Sequence, residues 1–326
     1  MEKLNLENIF EESFKLNASD IHLTEGEKII FRINGELLIQ EKFCIPKKDE
    51  LQNLIFPFLL LEEIEKLNLE KELDFSFEKK DLGRYRGNLS FSMGRICIVL
   101  RVISKDIPKL ETLGFGTRIN LFTKFTKGLI LITGGTGQGK STTLASLIDK
   151  INGEKSLNII TLEDPIEYIF KNKQSLIKQR EVGKDIKSFK DSLKSILRQD
   201  PDVIAVTELR DRETIELALL ASETGHLVIS TIHTNGAVET IERIAGEFPQ
   251  DKREGIYNLL AFNLKGIISQ EFYKDITGER KLMYEILIVN NAVKNMIKSK
   301  NIIQIYSLME NGTKEGMITK EKSLNI

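Results

Sequence analysis

The run Gly134-Gly135-Thr136-Gly137-Gln138-Gly139-Lys140-Ser141-Thr142 combines backbone freedom, positive charge and hydroxyls in an order that suits phosphate binding. It fits the pattern G-x-x-x-x-G-K-[ST], with Gly134, Gly139, Lys140 and Ser141 in the defining places. The glycines let backbone N–H groups turn inward around a phosphate chain, and the following helix N-terminus and Lys140 add positive charge. Ser141 offers a hydroxyl to Mg²⁺. The pattern is meaningful only between a strand and a helix. Leu129-Ile130-Leu131-Ile132-Thr133 is an apolar run of strand length, and Thr143 to Ile148 continues with apolar residues at helical spacing. A glycine turn that happens to contain Lys-Ser explains neither flank, so the sequence predicts a nucleotide site.

A phosphate loop alone hydrolyses nothing; it needs a group on the Mg²⁺ shell and a group that orients or deprotonates water. Two acidic candidates follow predicted strands. Asn158 to Leu162 runs into Glu163-Asp164-Pro165, and Asp202 to Thr207 runs into Glu208. Ligands of open α/β sheets bind beyond the carboxyl ends of the strands, which is where both carboxylates fall. Either one alone is equally a turn former or helix cap. A third strand, Leu227 to Ile232, is bracketed by His226 and His233, and His233 at its carboxyl end can reach a γ-phosphate or serve as a core or capping histidine. Arg84, Arg86, Arg95 and Arg101 cluster earlier in the chain. Alternate arginines on a strand form a solvated face or supply arginine fingers to a neighbour's nucleotide, and spacing does not decide between these.

These groups must be positioned by at least two folded units, for which 326 residues suffice. The composition is 41% hydrophobic and 29% charged, with a net charge of −1. That balance disfavours a generic nucleic-acid binder. The N-terminus has no basic region followed by an apolar stretch, so no secretory signal is expected. The densest apolar run, Leu54 to Leu61, is too short to span a bilayer, and no direct membrane insertion is expected. The lone Cys44 and Cys97 read as buried thiols; three histidines and no cysteine pair leave no structural zinc site.

Residues 1–107 read as one α+β domain. Leu6, Ile9, Phe10 and Phe14 share a helical face, and Ala18-Ser19-Asp20 is the expected break before a strand at Ile21. Ile29 to Ile33, the Asn34-Gly35 turn and Leu37 to Ile39 form a hairpin. A helix is expected from about Lys48 to Leu67, then strands at Leu73–Phe77, Arg84–Phe91 and Ile96–Ile103. Residues 108–116 read as a linker, with turn residues and no periodicity. Residues 117–326 alternate strands and helices, an α/β domain with a mostly parallel sheet and C-terminal helices.

The chain resembles the type II/IV secretion and type IV pilus ATPases, and among them the pilus retraction motors. The similarity runs from Ala18-Ser19-Asp20-Ile21-His22-Leu23 to Gly316-Met317. Gly134–Thr142 resembles the family's Walker A motif, Thr161 to Glu167 its Asp box, Leu197 to Asp211 its Walker B motif, and Thr224 to Leu227 with Ser230 to Asn235 its His box. The resemblance implies an N-terminal PAS-like domain and a C-terminal RecA-like P-loop ATPase domain. It implies Glu163 as general base, Glu208 with Ser141 on the Mg²⁺ shell, and His233 at the γ-phosphate. Asp164, His226 and Arg198 are secondary motif residues. Arg84, Arg86, Arg95 and Arg101 match the segment that completes the site in trans in a homo-hexamer.

Three departures stand out: Gly135 replaces a usual Pro, Thr207 a usual Gly, and Gly94-Arg95 the reverse order, which unsettles the register of one arginine. Ala292-Val293-Lys294-Asn295-Met296-Ile297-Lys298 resembles the retraction motif, with lysines for arginines; it also reads as an amphipathic helix packing Val293, Met296 and Ile297. The expected function is ATP- and Mg²⁺-dependent pilus retraction, or twitching motility. The expected location is cytoplasmic, against a pilus platform protein at the inner membrane. A pilus assembly or type II secretion ATPase is the alternative; those usually carry a further N-terminal domain and a four-cysteine insert, neither of which is expected here. An ATP-gated adaptor, a small-molecule kinase and a nucleic-acid translocase fit the motifs less well.

Overall fold

The Asn5 side chain accepts the Glu7 N–H and so opens the first helix, satisfying one orphan donor of its first turn. In the computed structural model, which describes residues 4–79, 83–103, 106–274 and 278–324, this helix α1 (Leu6–Lys15) buries Leu6, Ile9 and Phe10. Met1–Lys3, where the N-terminal signal was sought, lies outside the described residues. Two residues past its last turn, Asn17 has a φ of 51°, in the left-handed region that asparagine tolerates. Ala18-Ser19-Asp20, the expected break, already belongs to strand β1 (Ala18–Thr24).

Strands β2 (Ile30–Ile33) and β3 (Glu36–Ile39) form the expected hairpin, with Asn34 and Gly35 both at positive φ as a two-residue turn requires. The single helix expected over Lys48–Leu67 is two helices, α2 (Lys48–Ile55) and α3 (Leu61–Glu70). Pro57, in the 3-10 turn Phe56–Phe58 between them, lacks the N–H that a continuous helix needs. Strands β4 (Glu72–Lys79), β5 (Gly83–Ser92) and β6 (Arg95–Ile103) complete an antiparallel sheet of order β3-β2-β1-β6-β5-β4. Its inner face buries Tyr85, Leu89, Ile98 and Leu100 against α1, where Phe10 stacks on Tyr85 at 3.7 Å. Alternation sends Arg84, Arg86, Arg95 and Arg101 to the other face. Cys44 and Cys97 are free and only half-buried, a correction to the buried thiols expected.

Contacts divide the chain into Met1–Asp106 and Ile107–Ile326. The stretch 108–116 carries a 3-10 turn at Leu110–Leu113 and buries Leu110 and Phe115 in the core of the second unit.

The second unit continues with β7 (Gly128–Thr133), α4 (Lys140–Glu154), β8 (Asn158–Glu163), β9 (Leu176–Glu181), α5 (Phe189–Ile196), β10 (Val203–Val206), α6 (Arg212–Glu223) and β11 (Leu227–Ile232). Then come α7 (Ala237–Gly246), α8 (Arg253–Asn263), β12 (Leu264–Lys274), β13 (Arg280–Ile288), α9 (Asn291–Lys298), α10 (Ile305–Asn311) and α11 (Lys320–Ser323). The sheet order is β13-β12-β7-β11-β10-β8-β9, and only β13 is antiparallel to its neighbour. Every residue of β7, β10 and β11 is buried, as expected of strands covered on both faces. One covering layer includes Leu193, Ile215, Ile241 and Leu260; the other includes Leu144, Leu147, Ile148 and Phe122. This arrangement brings the carboxyl ends of β7, β8, β10 and β11 to one edge of the sheet.

Candidate nucleotide site

That edge gathers the predicted chemistry. The phosphate loop follows Thr133, Glu163 closes β8, Glu208 stands two residues beyond β10, and His233 directly follows β11. Parallel pairing in register, with Val206 opposite Leu162 and Ser230, fixes these ends side by side.

Lys140 is buried, and its ammonium donates to the Gly134 and Gly135 carbonyls, each at 2.9 Å. Burial holds its pKa below the ordinary lysine value, while the Glu208 and Glu167 carboxylates act in the opposite sense. His233 Nδ1 stands 3.3 Å from Lys140 Nζ, and its Nε2 stands 3.1 Å from Glu208 Oε1. Arg210 Nε donates to Glu208 Oε2 at 2.8 Å and its guanidinium approaches Asp164 at 3.5 Å. A continuous polar chain therefore runs from Lys140 through His233, Glu208 and Arg210 to Asp164.

Glu163 belongs to a separate, drier cluster. It is 5% exposed, and its Oε1 accepts from Thr161 Oγ1 at 2.6 Å and from Gln179 Nε2 at 2.9 Å. Burial raises its pKa above the ordinary value, opposed by these two donors and by the Glu167 backbone N–H. Ser141 and Glu163 line one cavity of about 20 Å³ with Thr161, Thr207, Tyr168 and Phe170 among its walls. That is room for about one water molecule beside a carboxylate and a hydroxyl.

The phosphate loop is braced by β12, which sequence reasoning did not connect with it. Gln270 Nε2 donates to the Gln138 carbonyl, and the Phe272 N–H to Gln138 Oε1, both at 2.6 Å. Arg280, stacked 4.0 Å over the Phe272 ring, donates to the Gly137 carbonyl at 2.7 Å. Gly134 has φ 149°, and a Cβ there would lie 2.3 Å from the Gln270 carbonyl oxygen. At Gly135 an added Cβ meets only Gln138 Cγ at 3.6 Å, so the missing proline leaves no special backbone demand.

Residues 1–279 match the family described as Type II/IV secretion system protein. The chain belongs to this family. It is 38% identical over 315 residues to the type IV pilus retraction ATPase PilT of Pseudomonas aeruginosa, covering 96% of this chain and 90% of that protein. It is 39% identical over 319 residues to the twitching motility protein of Neisseria gonorrhoeae, covering 95% and 84%. A crystal structure of the pilus retraction motor PilT with bound ADP superimposes with a TM-score of 0.89 at 44% identity, covering 99% of this chain and 96% of that one.

Not every residue singled out in this secretion-family chain lies at the nucleotide edge. His226 precedes β11, and its Nδ1 faces the Ala221 carbonyl at 3.0 Å and Thr224 Oγ1 at 3.2 Å, which ties it to the end of α6. Arg198 is exposed on the connection into the amino end of β10. Neither joins the cluster. In the first unit, Arg101 lies opposite Arg86 in the ladder and donates to Asp20 at 2.9 Å, and Arg84 donates to Ser76 at 3.1 Å. Arg95 is exposed at the far end of β6.

The segment Ala292–Lys298 lies within α9, which starts at Asn291. Val293 and Ile297 are fully buried and Met296 packs on the same core. Ala292 and Asn295 are exposed, and Lys294 is half-buried. Lys298 lies 3.9 Å over the Phe262 ring, so this lysine has an intramolecular partner that sequence alone did not supply. Gln179, Thr161, Tyr168, Arg210, Gln270 and Arg280 are the contacting residues that sequence reasoning missed as functional. Strand β9, which carries Gln179, has no clear alternation and was not expected.

Proposed function

We propose that this chain is a subunit of an ATP-hydrolysing motor that drives type IV pilus retraction. The observation that carries the reading is the convergence of the phosphate loop, Glu163, Glu208 and His233 on one edge of the parallel sheet, in a chain similar over nearly its whole length to pilus retraction proteins. We read the first unit as PAS-like, consistent with its helix-covered antiparallel sheet, and the second as RecA-like, consistent with its central parallel strands.

In this reading the loop N–H groups and the start of α4 hold the nucleotide phosphates. Lys140 leaves the Gly134 and Gly135 carbonyls for the phosphate oxygens. Glu163 accepts the proton of the attacking water; burial raises its basicity toward that task, while its two side-chain donors act in the opposite sense and hold the carboxylate in place. His233 turns its Nε2–H from Glu208 to a γ-phosphate oxygen. Ser141 and Glu208 are hard oxygen donors, a set that fits Mg²⁺ bound through few protein groups and substrate phosphates. Bound there, Mg²⁺ would neutralise developing charge on the phosphate oxygens. Arg84, Arg86 and Arg101 act in trans across a homo-hexameric ring. The α9 surface around Lys294 and Lys298 transmits motion to a platform protein at the cytoplasmic face of the inner membrane. Among the described residues no helix is long and apolar enough to cross a membrane.

Steady-state ATP hydrolysis tests the enzymatic reading. Lys140→Ala is expected to abolish nucleotide binding. Glu163→Gln is expected to bind ATP normally and turn over roughly 10²–10⁴-fold more slowly. Equal turnover in Glu163→Gln and wild type removes Glu163 from the mechanism.

A further inference from the structure

The residues that hold Glu163 are as specifically arranged as Glu163 itself. Gln179 lies opposite Thr161 in the parallel β8–β9 ladder, and both side chains donate to the same oxygen, Glu163 Oε1. Glu163 and Thr161 are two residues apart on one strand, so they share a face of the sheet. Two donors converging on one oxygen restrict the plane and direction of the carboxylate.

Gln179 has no freedom to turn over. Its Oε1 accepts the Phe170 N–H at 2.9 Å, while its Nε2 donates to the Tyr168 carbonyl at 2.7 Å and to Glu163 at 2.9 Å. The flipped amide would set its oxygen against a carbonyl and a carboxylate and its NH₂ against an N–H, losing all three bonds. The same strand pins the loop once more: buried Glu181 accepts the Ile166 N–H at 3.0 Å. The loop so held carries Tyr168, whose hydroxyl is 2.9 Å from Thr142 Oγ1, the last residue of the phosphate loop.

We propose that Gln179 and Thr161 are positioning residues that aim Glu163, and that Gln179 registers this aim against the phosphate loop through Tyr168 and Thr142. The proposal rests on reading Glu163 as the general base. Strand β9 lies at the sheet edge, so a side chain outside the four nucleotide-binding motifs sets the geometry of the water-activating group. A base displaced by a fraction of an ångström loses its near-attack geometry while nucleotide contacts made by the loop remain.

The test is a double-mutant cycle on the full chain under its active conditions, reading kcat, KM for ATP and the pH dependence of kcat. Gln179→Ala is expected to lower kcat by about 10- to 100-fold, with KM changed by less than about twofold. Its acidic limb should move to higher pH, because the carboxylate has lost a donor that favoured its charged form. Thr161→Val removes only a hydroxyl and should move both quantities in the same direction; it carries the same cycle if Gln179→Ala does not fold. In the Glu163→Gln background neither substitution should cost further kcat, since a positioning residue has nothing left to position. An equal fold-loss in both backgrounds means that Gln179 is merely structural and overturns the proposal, as does wild-type kcat in both single variants. Wild-type turnover in Glu163→Gln alone overturns the general-base reading and the proposal with it. Slow Glu163→Gln with additive Gln179→Ala overturns the proposal only.

Discussion

His233 bridges Lys140 and Glu208, with its two ring nitrogens 3.3 Å from the lysine ammonium and 3.1 Å from the carboxylate. The residue after one strand therefore touches the charged groups of two other motifs. Only a nitrogen that meets the Lys140 ammonium as an acceptor and one that meets Glu208 as a donor satisfy both neighbours, which selects the neutral tautomer with the proton on Nε2. His233→Ala should remove this bridge and the proposed γ-phosphate contact together. The expected outcome is a fall in kcat of about 10²-fold, the scale of losing one charge-stabilising donor, with ADP affinity nearly unchanged. Isothermal titration with ADP beside steady-state kinetics checks the split; a large loss of ADP affinity would instead make His233 a structural brace of the loop.

Burial gives a second prediction its sign. Glu163 has its pKa raised above the ordinary glutamate value of 4.5. A general base works only when deprotonated, so activity should fall as pH drops through a value above 4.5, and earlier than for an exposed carboxylate. The linked effect on folding has the opposite sense: a carboxylate with a raised folded pKa favours the folded state below its unfolded pKa, and that contribution is lost as pH rises through the folded value. The kcat–pH profile of wild type against the residual activity of Glu163→Gln checks the first statement. A limb shared by both enzymes would assign it to another group.

The phosphate loop makes a third. Gly134→Ala sets a Cβ 2.3 Å from the Gln270 carbonyl oxygen at a φ that side chains rarely adopt, so the loop cannot keep its path beside β12. Gly135→Ala meets only ordinary contact. Nucleotide binding, followed with a fluorescent ATP analogue, should be lost by at least about 10-fold in Gly134→Ala and retained in Gly135→Ala. Comparable binding in both would deny the bracing role of Gln270.

Much of this site was legible in the sequence, because motif residues at strand ends are fixed by local rules. An apolar strand, a glycine loop and a helix start put Lys140 where it is, and strand-end positions put Glu163, Glu208 and His233 on one edge. Whatever depended on lateral neighbours was not legible. Gln270 and Arg280 reach the loop from β12 and β13, more than a hundred residues later in the chain, and only the sheet order makes them adjacent. Gln179 lies on an edge strand whose half-exposed residues carry no period. His226 shows the converse: two histidines bracket one strand, yet strand direction sends one to the nucleotide edge and the other to the opposite end. Pro57 was visible in the sequence, and its backbone consequence should have divided the helix expected across it.

The ring makes a fourth prediction. Arg86 and Arg101 face each other across β5 and β6, and Arg101 is already engaged by Asp20, so Arg86 is the less encumbered finger. Subunits carrying Arg86→Ala, mixed with Lys140→Ala subunits, should regain part of the ATPase activity that each lacks alone, because some interfaces then join two intact halves. Light scattering should report a hexamer with nucleotide bound. No recovery on mixing, with full activity from a monomer, would remove the trans arginine from the account.

The central claim is that ATP hydrolysis by this chain powers pilus retraction, and it is tested most directly in cells that carry Glu163→Gln in place of the native residue. Twitching and surface pili are measured together, with wild type and Lys140→Ala alongside and protein levels matched. The account predicts that both variants lose twitching while surface pili accumulate, since assembly continues and withdrawal stops. Normal twitching in cells whose purified Glu163→Gln protein has lost its ATPase activity, or a loss of surface pili in place of their accumulation, would contradict it.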